Sequence, residues 1–356
     1  MALASVSPIT GIDLFCGIDV DSKSFSFTVN DRDGMIRKSK KIPADPELLW
    51  RYLQRSFPEK KVLCGYEAGP TGYHLYDCLS AKKVPCVVIP PASLPKSPDS
   101  RVKTNRIDSN RIALYLQSGK AREVRVPDEA YRELRHLVDI RQRYAHDIGQ
   151  TKQRIKALLL YTHLDIAPAA DSRWSQAHIA RLKALKASPA VGERLALLLE
   201  DLDYGRGKMS RAIKSLRGFC RANPDIDRYR SYLESIPGVG LATALAVLAR
   251  IGDPRRLKNV RELGAFFGLV PTERSTGDDI RRGFITHLGN DEAHALLVEA
   301  SWVAIRSDAE LAQFYYRIRS RHHQNCASKK AIVAVARKLT NRIYAVLTEE
   351  RPYIRR

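Results

Sequence analysis

Residues 12–30, IDLFCGIDVDSKSFSFTVN, decide the architecture. Residues 12–20 are apolar apart from two aspartates, Asp13 and Asp19, and read as a buried strand. Residues 24–30 alternate and read as a second strand. Asp31–Gly34 is a turn, and 35–42 returns as the third strand of a hairpin. Further out, 46–56 looks helical and 61–67 (KVLCGYE) is a fourth short strand. Gly69, Pro70 and Gly72 break the chain before a helix through about residue 83. Residues 84–89 (VPCVVI) form a fifth strand. A connection with Pro90, Pro91, Pro95 and Pro98 follows, then a helix over 106–118 with Ile107, Leu114 and Leu116 as apolar positions.

The order is three strands, helix, strand, helix, strand, helix. A meander followed by strand–helix crossovers gives a mixed sheet with helices packed on it. That order matches the ribonuclease H-like architecture, so the chain is read as α/β in its first part. From about 127 to 232 the character changes to long helical segments. Leu195, Leu198, Leu202, Met209, Leu216 and Phe219 follow the steps of a coiled-coil seam, within the chain or between chains, interrupted at Gly205 and Gly207. From 233 onward helices again dominate, with Ile236-Pro237-Gly238-Val239-Gly240 between two of them. The expected organisation is an α/β domain over 1–125, a helical arm over 126–232 and a mainly helical domain over 233–356.

Composition narrows the partner. The 356 residues hold 60 Lys and Arg against 39 Asp and Glu, a formal net charge of +21. Such an excess points to a polyanion, with nucleic acid ahead of an anionic membrane surface. No apolar run is long enough to span a bilayer, and residues 1–10 lack the pattern of a signal peptide. The six cysteines (Cys16, Cys64, Cys78, Cys86, Cys220, Cys326) form no CxxC pair, so neither zinc nor disulfides are indicated. A reducing cytoplasm is expected. In 130–157, Arg132, Arg135, Arg141, Arg143, Lys152, Arg154 and Lys156 suit a phosphate backbone, while Leu137, Ile140, Ile148, Ile155 and Leu158 suit a core side.

Two constellations carry chemistry. Asp19 lies near the end of the first strand, Glu67 ends the fourth, and Asp108 begins the helix after the fifth. These acids would converge at one end of the sheet, where hard oxygen ligands suit Mg²⁺ or Mn²⁺. Asp21, two residues on, is the alternative to Asp19. Further along, 268–290 (GLVPTERSTGDDIRRGFITHLGN) reads as a polar loop. Ser275, Thr276 and Gly277 stand there near Arg281 and Arg282, a hydroxyl beside guanidiniums that offset phosphate charge.

Nine blocks carry a resemblance. GIDVDSK (17–23), YEAGPTGYHL (66–75), KTNRIDSNRIALYL (103–116), IPGVG (236–240), LGAFFGLVP (263–271), STG (275–277), RRGFITHLGN (281–290), VEASW (298–302) and KKAIVAVARKL (329–339) resemble the IS110/IS1111-type insertion-sequence transposases. The resemblance implies a RuvC-like domain whose Asp-Glu-Asp-Asp quartet falls on Asp19, Glu67, Asn105 and Asp108. It departs from the pattern at Asn105, a neutral oxygen donor where the family carries a charge. The resemblance also implies a nucleophilic serine at Ser275, with Thr276 as the alternative. The metal site and serine would come from different subunits, requiring a dimer or tetramer. Donor and target DNA and a structured guide, the bridge RNA, are the implied partners, in a bacterial, nucleoid-associated setting. IPGVG resembles the turn of a helix-hairpin-helix. Against this stand a RuvC-like junction nuclease using metal alone, and a non-catalytic nucleic-acid-binding protein.

Overall fold

A computed structural model describes residues 4–5, 11–94, 104–164, 174–276, 279–285, 291–321 and 324–354. Ala2–Val126 and Pro127–Arg356 form two separate compact units.

The N-terminal unit holds β1 (Ala4–Ser5), β2 (Leu14–Val20), β3 (Ser24–Asn30), β4 (Ile36–Pro43), α1 (Pro46–Ser56), β5 (Val62–Glu67), α2 (His74–Ala81), β6 (Cys86–Ile89), α3 (Asn105–Gln117) and β7 (Arg122–Glu123). Five strands make one mixed sheet in the order β4-β3-β2-β5-β6. The hairpin strands are antiparallel, whereas β2–β5 and β5–β6 are parallel. Each element has a local cause. The β3–β4 turn closes because the Asp31 carboxylate accepts from the Asp33 and Met35 amides, with Gly34 at φ 82°. Asp45 caps α1, with Pro46 in its first turn. Thr104 caps α3 by accepting from the Ile107 amide. The pairing of β1 with β7 has no counterpart in the sequence reading, because two-residue strands carry no period.

The sheet buries both faces. Cys16, Ile18, Phe27, Cys64 and Tyr66 pack with Leu49 and Leu53 of α1 and Leu79 of α2. Phe15, Leu63, Val87 and Ile89 pack on the other side with Ile112 and Leu116 of α3. Gly17 and Gly65 admit α3: a Cβ at Gly17 would overlap the Ser109 carbonyl and the Ala113 nitrogen, and one at Gly65 would press on Leu116.

The C-terminal unit holds α4 (Glu129–Tyr161), α5 (Gln176–Lys183), α6 (Pro189–Ala222), α7 (Pro224–Glu234), α8 (Leu241–Ile251), α9 (Val260–Phe266), β8 (Pro271–Thr276), β9 (Asp279–Ile285), α10 (Asp291–Ser307), α11 (Ala309–Arg319) and α12 (Gln324–Thr348). The mixed sheet and the helical remainder are thus both present. α4 and α6 pair within the chain, and Ile155 and Leu158 of α4 bury against Leu195, Leu199 and Leu202 of α6. Two expectations are corrected. α6 runs unbroken through Gly205 and Gly207. Gly205 is small because Ile148 of α4 lies against it, so tight helix–helix approach, and not a break, explains that glycine. Ile140, read as a core position, is exposed, and Val138 is buried instead.

Candidate active site

The register of the sheet places two acids side by side. β2 and β5 run parallel with Gly17 opposite Gly65 and Ile18 opposite Tyr66. Continuing that register sets Asp19 beside Glu67 at the strand ends. Neighbouring strands lie about 4.8 Å apart, and directly opposed residues share a face. Ile18 and Tyr66 point into the α1–α2 core, so Asp19 and Glu67 project to the α3 side, like Gly17 and Gly65 two residues earlier. Both acids are partly exposed.

α3 runs antiparallel to β2. Gln117 at its end donates to the Arg32 carbonyl, Asn110 pairs with Asn30 at 2.9 Å, and Ser109 with Thr28 at 2.8 Å. Thr28 lies opposite Gly17, so the first turn of α3 sits toward the ends of β2 and β5. That turn carries Asn105 and Asp108. Asp108 lies one turn before the buried Ile112, on the sheet-facing side, and is held by Arg111 at 3.1 Å. Asn105 is exposed and lines an open groove toward β4. Asp21 lies beyond the end of β2, exposed, and accepts from the Ser22 amide at 2.6 Å, a turn role.

Among the described residues, no three His, Cys, Asp or Glu side chains stand close enough together to hold a metal ion. Asp108 is engaged by a guanidinium on its own helix. The donor set itself suits a hard divalent cation: Asp19 and Glu67 supply carboxylate oxygen, with no thiol on their face of either strand.

The serine segment differs from its reading. Residues expected to be loop form a β-hairpin, with Ser275 opposite Ile280 and Thr276 opposite Asp279. Residues 271–276 and 279–285 form its two strands, and 277–278, between them, lie outside the described residues. Gly283 is required because a Cβ there would meet the Thr272 hydroxyl. Arg281 and Arg282 sit on β9, paired in register with Arg274 and Glu273.

Other candidate contacts are sorted by their partners. Arg135 donates to the carbonyls of Ala249 (2.5 Å) and Arg250 (3.3 Å), closing the C-terminal end of α8. Lys152 lies over the Trp174 ring at 5.7 Å. In the 236–240 turn, Gly238 (φ 87°) is required by packing, since a Cβ would overlap the Ala300 carbonyl and Ala304 of α10. Gly240 faces open space.

Residues 16–164 match the DEDD-type IS110 transposase family, and residues 230–316 match the transposase family IS116/IS110/IS902. The chain carries both transposase domains of the IS110 family. A putative transposase, y4qE, of Sinorhizobium fredii is 29% identical over 95% of this chain and 90% of its own length. The transposase for insertion sequence element IS1111A of Coxiella burnetii is 28% identical over 79% of this chain and 76% of its own. A pilin gene-inverting protein of Moraxella bovis is 28% identical over 37% of this chain and 41% of its own.

Cationic residues beside the acids bear on phosphate binding. Lys41 of β4 and Arg106 of α3 were not singled out by sequence reasoning. The visible signal was IRKSKKIP, four cations in a strand whose neighbours are apolar.

Proposed function

We propose that this chain cuts and rejoins donor and target DNA, with Ser275 as nucleophile and Asp19, Glu67 and Asp108 as the acidic centre of a RuvC-like domain. The observation that carries it is the side-by-side placement of Asp19 and Glu67 at parallel strand ends, with the first turn of α3 beside them. Mg²⁺ or Mn²⁺ held there would stabilise charge on the phosphate oxygens. Asp19 and Glu67 would hold it, and Asp108, paired with Arg111, would supply a third carboxylate if that pair opened. Asn105 stays at the rim as a neutral oxygen donor.

In the proposed exchange the Ser275 Oγ–P bond replaces the P–O bond to the departing strand. That strand leaves as a hydroxyl carrying the seryl proton. The hydroxyl of a second strand then displaces Ser275 by the reverse exchange, so the phosphodiester count is conserved. Relatives named for inverting pilin genes favour such rejoining over simple hydrolysis. The acids lie in the N-terminal unit and the serine in the C-terminal unit, and the proposed site is completed between protomers of a dimer or tetramer. A structured bridge RNA is the proposed guide, so that base pairing chooses the site and the protein reads backbone and shape.

The test is strand exchange on labelled element ends with Mg²⁺. Wild type should leave a protein–DNA adduct that Ser275→Ala does not form. Asp19→Ala, Glu67→Ala or chelation should abolish both cutting and adduct. Continued cutting by Ser275→Ala identifies a metal-only junction nuclease. Binding without exchange by the wild type identifies a non-catalytic nucleic-acid-binding protein.

A further inference from the structure

Beside the acids lies an open groove of ≈ 620 Å³ between the edge strand β4 and the start of α3. Lys41 lines it from β4 and Ser26 from β3, with Ser39 on the same face, and Asn105 and Arg106 line it from α3. Lys38 stands opposite Val29 and so projects, like Lys40, from the other face of the strand. Among the described residues, no carboxylate and no aromatic ring is in its lining. Its inner end is fixed by register, because Ser26 is the cross-strand partner of Asp19.

The cations are not all equivalent. Arg37 is paired with Asp31, and Lys40 lies over the Tyr52 ring at 5.0 Å. Among the described residues, no carboxylate forms an ion pair with Lys41 or Arg106. Lysines on an edge strand often serve only to prevent pairing with another sheet. That accounts for Lys38 and Lys41 but not for Arg106 and Asn105 on the opposite wall. Cations without acids attract phosphates, and a wall without aromatic rings offers no platform for bases. The groove therefore suits a nucleic-acid backbone whatever its sequence.

We propose that this groove carries the phosphate backbone of the DNA strand being cut and delivers it to Asp19 and Glu67, with Lys41 and Arg106 as positioning residues. This rests on the cut-and-rejoin reading above. DNA is favoured over RNA because the groove opens onto the acids, where the reacting strand must lie.

The full-length chain and its Lys41→Ala/Arg106→Ala variant are titrated with labelled polythymidine and polyuridine over a range of NaCl concentrations. Each phosphate contact to a single strand contributes about 0.7 to the slope of log affinity against log salt, so losing two should lower its magnitude by about 1.4 for polythymidine. KM for element-end cleavage should rise with kcat held. Lys41→Arg, keeping the charge and the same exposed position, should retain the wild-type slope. An unchanged slope in the folded double variant overturns the proposal. So does a loss confined to polyuridine, which would make the occupant RNA. A polythymidine slope change in a wild-type background that never cuts overturns the catalytic reading while upholding the groove as a DNA-strand site.

Discussion

Replacing Gly17 with alanine tests how the acids are positioned. A Cβ at residue 17 falls on the Ser109 carbonyl and the Ala113 nitrogen, and at 2.9 Å from Ile112 Cβ. Two of these obstacles are backbone, so no side-chain rotation relieves them, and α3 must lift off the sheet. Overpacking of this kind costs about 1–3 kcal/mol. Lifting α3 also stretches the Thr28–Ser109 and Asn30–Asn110 hydrogen bonds, at roughly 1 kcal/mol each. The expected loss is therefore about 3–5 kcal/mol, against a total stability of order 5–15 kcal/mol for a domain. With a urea dependence of about 1–3 kcal/mol per molar, the midpoint should fall by at least about 1 M. Trp50 of α1 reports this unit alone once Trp174 and Trp302, the other two tryptophans, are replaced by Phe. Gly149→Ala is the matched control. It sits inside α4 with nothing within 4 Å, so alanine should stabilise by roughly 0.5–1 kcal/mol. Displacing the first turn of α3 should also suppress DNA cleavage by Gly17→Ala. Equal urea midpoints for wild type and Gly17→Ala would refute the seating of α3 on β2, and with it the placement of Asp108 near Asp19.

Two further outcomes follow from single contacts. Arg135→Ala removes two donors from the end of α8 and should cost about 1.5–3 kcal/mol by urea titration, with duplex-DNA salt dependence unchanged; a slope lowered by about 0.9 at unchanged stability would make Arg135 a phosphate ligand instead. Burial alone would raise the Asp253 carboxyl, but the side chain and amide of Arg255, with Arg256 nearby, hold it below the usual carboxylate range. A depressed folded-state pKa stabilises above the unfolded value of about 3.9 and is lost as pH falls through the folded one. The melting temperature of Asp253→Asn should therefore lie below wild type at neutral pH, and the gap should close in strong acid.

The sheet was legible because its strands are short apolar runs separated by turn residues, and because the turn at Asp31–Gly34 and the breaks at Gly69–Gly72 mark their ends. The adjacency of Asp19 and Glu67 followed from that order. The glycines of α6 misled because a glycine that ends a helix and one that admits a neighbour look alike without the neighbour, here Ile148. The 268–290 segment misled because a hairpin of polar residues shows no apolar period. The cationic groove was invisible as a site because its two walls, β4 and the start of α3, lie more than sixty residues apart. Nothing in Arg135 itself announces that two carbonyls of α8 occupy it.

The parallel register of β2 on β5 has a consequence for biogenesis. Slipping either strand by one residue would turn its acid toward Ile18, Tyr66 and the paired Cys16 and Cys64, a compartment with no water to solvate it. Burying an unpaired carboxylate there costs several kcal/mol or forces it to take up a proton. Mispaired chains are thus penalised by the very groups that give the correct pairing its use, and a nascent sheet is proofread by its own chemistry.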